Sequence, residues 1–593
     1  MKQTGSHLPK GSRRRLAAGL VLAVGLAGAN TGFAAGEDQT VVLPGAVTAI
    51  GHGNVVDILR AQQQRPLARV AKLADGTAAA PSVRAVPRHA APSTLGYSTL
   101  SRTAAGAGAP TVRSQASAAA ALAFAGAVGI TGAQQQGVTG GPDEEPANPG
   151  IAVGTNAIFQ VTNGAFSAAD GSGNSLTGGP LSIAYLFGVD IATVTLSNPR
   201  VIYDADLDAF IVSETGIVAN ADGTKSSKIY FAVVGASDPS LPFNSYSIDT
   251  SQAVTGTAAP YYADFVQIGA DANGLYFSGN IFSIAKGSYA GAAIYALSKA
   301  ALAAGPATVP PVVEILLPQD YTVAPSVTAP HATAVSANGG TEYFVETRGA
   351  IAAQVRVLAL LNTQSLNSAS PALQITHADV SSLPYALPVP GQQPNQVGPY
   401  GKSVGATAAP ALDSGLDIVT SPVVLSQGKL WATVATSVFD QNYDLESGIA
   451  YFAITPGAST VAQSRITQQG YLAAPSSGAS LLNPSIAMNA NGKGAIGFTL
   501  TGPNNFPSAG FAPLDGTGAV GAVQVSGAGT ATEDGFSGYA PYGNVALWGN
   551  YSSVAVDPTN GSLWLASEFI PDATAYPRDK NVNWGTFVTH YTP

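Results

Sequence analysis

From residue 148 onward the chain repeats one unit: a short apolar strand, a turn of Gly, Asn or Asp, and a second apolar or aromatic strand. Ile151 to Val153 turns at Gly154 to Asn156 into Ile158 to Val161, and Arg200 to Tyr203 turns at Asp204 to Asp208 into Phe210 to Val212. Phe265 to Ile268 turns at Asp271 to Gly274 into Leu275 to Phe277, and Thr333 to Val335 turns at Asn338 to Gly340 into Tyr343 to Val345. Pro422 to Leu425 turns at Gln427-Gly428 into Leu430 to Ala432, and Ser485 to Met488 turns at Asn489 to Gly492 into Ala495 to Phe498. Ser553 to Val556 turns at Asp557 to Gly561 into Leu563 to Leu565. Turns of this composition supply the positive φ angles that tight hairpins need. Further strands, such as Ile229 to Val234 and Ala293 to Leu297, fall between the hairpins. A period of about 50 to 70 residues with about four strands per unit predicts the blades of an all-β propeller, six or seven in number. One blade cannot bury both of its faces, whereas a ring of blades can, and closure also hides the sheet edges.

Composition agrees with short strands and tight turns: 67 Gly, 40 Pro and only 10% charged residues in 593. The chain has no cysteine, which excludes disulfides, thiolate metal sites and cysteine nucleophiles. Of 26 basic and 35 acidic residues, thirteen basic and four acidic lie before residue 141, so the remainder carries a net charge of −18. Such a surface is soluble and repels nucleic acid and anionic membranes.

The N-terminus has the three parts of an export signal. Lys2, Lys10 and Arg13 to Arg15 precede the apolar stretch Leu16 to Ala29, and small residues suited to cleavage follow up to Ala35. Residues 1–35 are therefore expected to be a signal peptide, which places the mature chain in the periplasm or outside the cell. Residues 36–140 are rich in Ala, Gly, Pro and Arg, with glutamine runs at Gln62 to Gln64 and Gln134 to Gln136. They are expected to form a low-complexity leader or tether, or alternatively a cleavable propeptide. Within it, Val55, Ile58 and Leu59 share one helical face and predict a short helix over 55–64, ended by Pro66. The propeller is expected to occupy 141–593. No later segment has 18 uninterrupted apolar residues, so no transmembrane anchor is expected, and the chain is read as a monomer.

Several stretches resemble a group of secreted bacterial β-propeller proteins loosely described as sialidase-like or neuraminidase-repeat-like. They include Val153 to Asn156 leading to Asn163, Pro199 to Asp204, Ser237 to Pro239, Tyr262 to Asp264, Gln468 to Gly470, Ser485 to Met488, and Trp548 to Ser552 with Val556 to Pro558. The resemblance runs in order through about three quarters of the chain and implies the architecture; it implies no single activity. Where the group carries Arg-Trp-Gly-Asp-Tyr-Ser, this chain has Leu547 to Ser552 and lacks both the Arg and the Asp. No full copy of the S-x-D-x-G-x-x-W box of true sialidases is present.

Sialidase chemistry needs three convergent arginines, and the propeller offers Arg200, Arg348, Arg356, Arg465 and Arg578. Glycoside hydrolysis needs two carboxyls across the bond. Glu214, Asp264, Glu446 and Glu568, with Glu346, stand among apolar strands where burial would raise a carboxyl's pKa and suit it to acid catalysis. No cofactor is expected, and Asp204, Asp206 and Asp208 read first as a solvated turn; the alternative is a calcium site through these three or through Asp143, Glu144 and Glu145. Zinc is disfavoured, because the propeller's histidines, His331, His377 and His590, are far apart in sequence. Gly401 to Gly405 spells G-x-S-x-G, but no apolar strand precedes it as a nucleophile elbow requires. Trp548 and Tyr551, beside glycine and asparagine, are candidates to stack on a sugar, while Trp431 and Trp564 read as packing residues. No catalytic motif is complete. Binding of a glycan or an extracellular protein therefore stands first, and a carbohydrate-active hydrolase or lyase using carboxylates at the channel stands second.

Overall fold

The computed structural model describes residues 39–43, 46–64, 83–85, 122–140, 143–251, 260–307, 309–347, 353–457, 460–539 and 543–593. Residues 1–35, and with them the export signal, lie outside the described residues. Among those described, antiparallel meanders follow one another at 150–182, 194–249, 261–317, 324–381, 423–472, 480–527 and 553–591. The first strand of each meander adjoins the first strand of the next, and Ser553–Val556 returns to Gly150–Val153, which closes the ring. Parallel pairing of first strands even fuses three meanders into one sheet, through Ala270 with Val327 and through Ser326 to Thr328 with Val423 to Leu425. The chain is an all-β propeller.

The cores lie between neighbouring blades, where a sheet face that alternates apolar and small residues meets the next. Phe159, Phe166, Phe210 and Val212 fill the first junction, and Phe231, Tyr246, Ile268 and Phe277 the second. The junction between the last blade and the first is the thinnest, with Ile151, Val153, Ile158 and Ala566 as its buried apolar residues.

Six of the seven predicted hairpins coincide with the first two strands of a meander. In the fourth, Thr333 to Val335 is not a strand; the first strand is Ala324–Thr328, and a longer connection leads to Thr341–Thr347. Pro330 and His331, the latter at φ 64°, turn the chain away before residue 333.

The expected boundary at 141 does not hold for the sheets. Gln39–Leu43 pairs with Val312–Leu317 of the third blade, and Val47–Asn54 pairs with Pro242–Asp249 of the second. Phe124–Thr131 pairs with Gly585–Tyr591 and is the outermost strand of the last blade. The predicted helix is present as Val55–Gln64, with Val55 and Ile58 buried against the core of the first two blades. The small residues that read as linker are what this packing requires. A Cβ at Gly126 would collide with the Phe587 ring, and one at Gly129 with the side chains of Gln160 and Thr586.

Candidate functional site

Six of the seven first strands carry a kink at or near their start. Asn148, Asn198, Phe265, Thr322, Asn483 and Asn550 have φ between 34° and 58°, and the ladder slips a register at 197–200, 264–267 and 482–485. Asparagine tolerates this conformation better than other side-chain-bearing residues. Its amide also ties one kink to the next: Asn148 donates to Asn198 (3.2 Å), the Asn198 amide to Asp264 (3.3 Å), and Asn483 to the carbonyl of Trp548 (2.7 Å). The dipeptide Asn-Pro at 148, 198 and 483 is a sequence signal for this ring that the hairpin pattern did not single out.

Just inside the kinks, side chains close the axis. Arg200 is buried, donates to the carbonyls of Val266 (3.3 Å) and Thr420 (2.8 Å), and holds its guanidinium 3.4 Å from the Tyr551 ring centroid. Tyr551 donates its hydroxyl to the Pro199 carbonyl (2.6 Å), and Gln267 donates to the Val419 carbonyl (3.0 Å). Beyond this plug the channel narrows to a cavity of about 70 Å³ lined by Ile151, Val201, Val327, Val424, Ala487 and Val554 among others. No carboxylate lines it.

The four acids proposed for chemistry are dispersed. Glu214 is fully buried and accepts from the Gly164 amide (3.3 Å), and Asp264 accepts from Asn198 and from the Phe265 amide (2.9 Å). Glu446 is half-buried and accepts from Ser480 (3.1 Å); burial raises its pKa. Glu568 accepts from the Gly549 amide (2.7 Å), and Glu346 from the Tyr321 amide (2.9 Å). Residues 549 and 321 each precede the first strand of the same blade, so these two second-strand glutamates fasten the entering segment to its own sheet. A buried carboxylate is retained by such backbone donors.

Glu446 stands near Asp440 and Asp444, and Glu568 joins a group of buried acids. Glu145 and Glu533, both buried, interact electrostatically with it or with each other. Glu145 accepts from the Ser537 amide (2.8 Å) and Glu533 from the Gly535 amide (2.6 Å), while Oε1 of Glu145 and Oε2 of Glu533 have no hydrogen-bond partner. Burial, then mutual repulsion, pushes Glu145 and Glu568 well above the usual carboxyl range; Glu533 rises to about 7, mainly through burial. Nothing in the local sequence pattern singled out Glu533, which lies outside the repeated hairpins.

The remaining expectations fare as follows. Asp204 and Asp206 both pair with Lys299 at 2.7 Å, and Asp208 turns to Thr155 (3.0 Å) and Tyr203 (2.8 Å). A lysine ammonium thus stands where the alternative reading put calcium, and no group of three or more metal-ligating side chains occurs among the described residues. Arg200, Arg356 and Arg578 do not converge: Arg356 pairs with Asp320 (2.6 Å) and Asp379 (2.7 Å), and Arg578 with Asp534 (2.6 Å). Arg348 lies outside the described residues. Trp548 and Tyr551 are each 1% exposed, so neither offers a ring face to a ligand. Trp548 packs on Leu412, Leu482 and Ile570 instead.

Trp564, expected to pack, is only partly buried. It lines a groove of about 500 Å³ at the thin junction between the last and first blades. Strand Phe124–Thr131 forms one side, and Gln160, Ser167 and the loop at Ser172 form the other. His590 stacks on Trp564 with ring centroids 4.4 Å apart, and burial lowers its pKa.

No family model matches the chain. No curated protein matches it. Among solved structures, it matches an exo-β-1,3-galactanase from Clostridium thermocellum at 8% identity and a TM-score of 0.28, covering 80% of this chain and 97% of that one. A sialidase from Trypanosoma rangeli in complex with sialic acid matches at 9% identity and a TM-score of 0.28, over 66% of this chain and 54% of that one. A mutant apocarotenoid oxygenase from Synechocystis matches at 10% identity and a TM-score of 0.33, over 64% and 71%. No helix among the described residues is long and apolar enough to cross a membrane.

Proposed function

We propose that this chain is an exported β-propeller that acts by binding, holding a glycan or a protein ligand in the periplasm or outside the cell. The observation that carries this reading is the employment of the acids. Glu214, Glu346 and Glu568 are buried and fasten backbone, and the axial channel beside them is apolar and plugged by Arg200 and Tyr551. Hydrolysis of a glycosidic bond needs two carboxyls roughly 5–9.5 Å apart with the substrate between them. The groove at Trp564 has no carboxylate among its lining residues.

The test is incubation of the purified full-length chain with a broad polysaccharide panel, with and without calcium, measuring new reducing ends alongside retention of each polysaccharide. Retention, or capture of an extracellular protein, without new ends supports binding. New reducing ends that disappear in Glu446→Gln or Asp264→Asn would overturn it in favour of a carbohydrate-active hydrolase or lyase.

A further inference from the structure

Resting on that reading, we propose that the groove between the last and first blades is a binding site for a neutral oligosaccharide, with Trp564 as its platform. Three observations select this occupant. The groove's volume, about 500 Å³, falls in the range of small-molecule sites, ~300–1,000 Å³, and holds a short saccharide. Its lining contains no Asp, Glu, Lys or Arg, and its one titratable side chain, His590, is held toward the neutral form by burial. A sialic or uronic acid entering it would lose water without gaining a countercharge, which is costly, whereas a neutral sugar would not.

The third observation is the chemistry on offer. Trp564 presents an aromatic surface whose orientation is fixed by its stack on His590, and that histidine is itself held by Ser562 at 2.9 Å. Sugar C–H faces pack on such rings. Ser167 and Ser172 supply hydroxyl groups of the kind hydroxyl-rich ligands require, while the Gln160 amide already donates to Thr586 (2.7 Å). The site is open because the junction is thinly packed and because Ala125, Gly126, Ala127 and Gly129 keep the strand beside it low.

The experiment titrates the full-length chain with cellotriose, maltotriose, xylotriose and mannotriose, with trigalacturonate as the charged control. Calorimetry and tryptophan emission are the readouts. At least one neutral trisaccharide is expected to bind and trigalacturonate to stay silent. Trp564→Ala should weaken binding at least about tenfold, a loss equal to one aromatic stack, and the groove-filling Ala127→Trp should abolish it, with unchanged melting confirming the fold. If no neutral probe binds, or if binding survives both substitutions, the groove assignment falls. Capture of a glycan or protein that both variants retain would remove the groove but leave the binding function standing. Hydrolysis of a probe that depends on Trp564 would keep the groove and remove the binding function.

Discussion

Arg200 and Tyr551 hold each other across the entry to the first blade: the guanidinium lies 3.4 Å from the tyrosine ring centroid, and the tyrosine hydroxyl donates to the carbonyl of Pro199. One residue belongs to the second blade and the other to the segment entering the last. A cation over an aromatic face is worth ~2 kcal/mol or more once desolvated, and the plug also meets the acceptors Val266 and Thr420. Arg200→Met is therefore expected to destabilise the protein by about 3 kcal/mol. Tyr551→Phe, which removes one hydrogen bond and keeps the ring, should cost about 1 kcal/mol. Urea unfolding followed by tryptophan emission measures both. Equal, negligible losses would mean that the axis is not held by this pair.

The buried acids set the pH response. A carboxyl whose folded pKa is raised contributes stability that is fully present below its unfolded value and lost as pH rises through the folded value. For Glu533 that window runs from about 4.5 to about 7, and Asp417, also raised to about 7, and Asp143, raised to about 6, act in the same direction. Glu145 and Glu568, raised by burial and by neighbouring carboxyls, act in the same direction. The melting temperature is expected to fall between pH 5 and pH 7, and Glu145→Gln should flatten that fall. A melting temperature that rises over this range would contradict the assignment.

The strand Phe124–Thr131 is expected to be indispensable. Gly129→Val forces a side chain into Gln160 and Thr586, and overpacking of this kind costs about 1–3 kcal/mol. A lowered melting temperature in Gly129→Val, set against an unchanged one in Gly137→Ala, where a Cβ meets nothing within 4 Å, checks the pairing.

Lys299 stands where the calcium alternative put an ion, between Asp204 and Asp206. Removing one partner of a buried ion pair costs about 3–5 kcal/mol, so Lys299→Met should destabilise strongly, since Asp204 is buried with it. Chelation should leave the melting curve of the unsubstituted chain unmoved. A chelator-induced drop would restore a calcium site.

How much of this was legible varies with the range of the signal. The hairpins at Ile151, Phe265 and Ser553 announced themselves because turn chemistry and alternation are local. The helix over Val55–Gln64 was legible from Val55, Ile58 and Leu59 for the same reason. The strand at Phe124 was not, because close packing against Phe587 demands glycine and alanine, and those residues also compose linkers. Glu568 was readable as a carboxyl among apolar neighbours, but it meets Glu533, outside the repeated hairpins, and Glu145, 423 residues earlier in the chain. The aromatic candidates inverted for a related reason. Trp548 stands beside Gly549 and reads as exposed, while Trp564 sits inside an apolar strand and reads as buried; only the thin seam between two blades decides otherwise.

The pairing of Phe124–Thr131 with Gly585–Tyr591 also puts a clock on the molecule. At ~5–20 residues per second, the first of these strands waits roughly 20–90 s on the ribosome's schedule before its partner exists. Throughout that interval the outermost place in the last blade cannot be filled. The last blade is therefore completed only once residue 591 has been made, and until then the chain stays threadable.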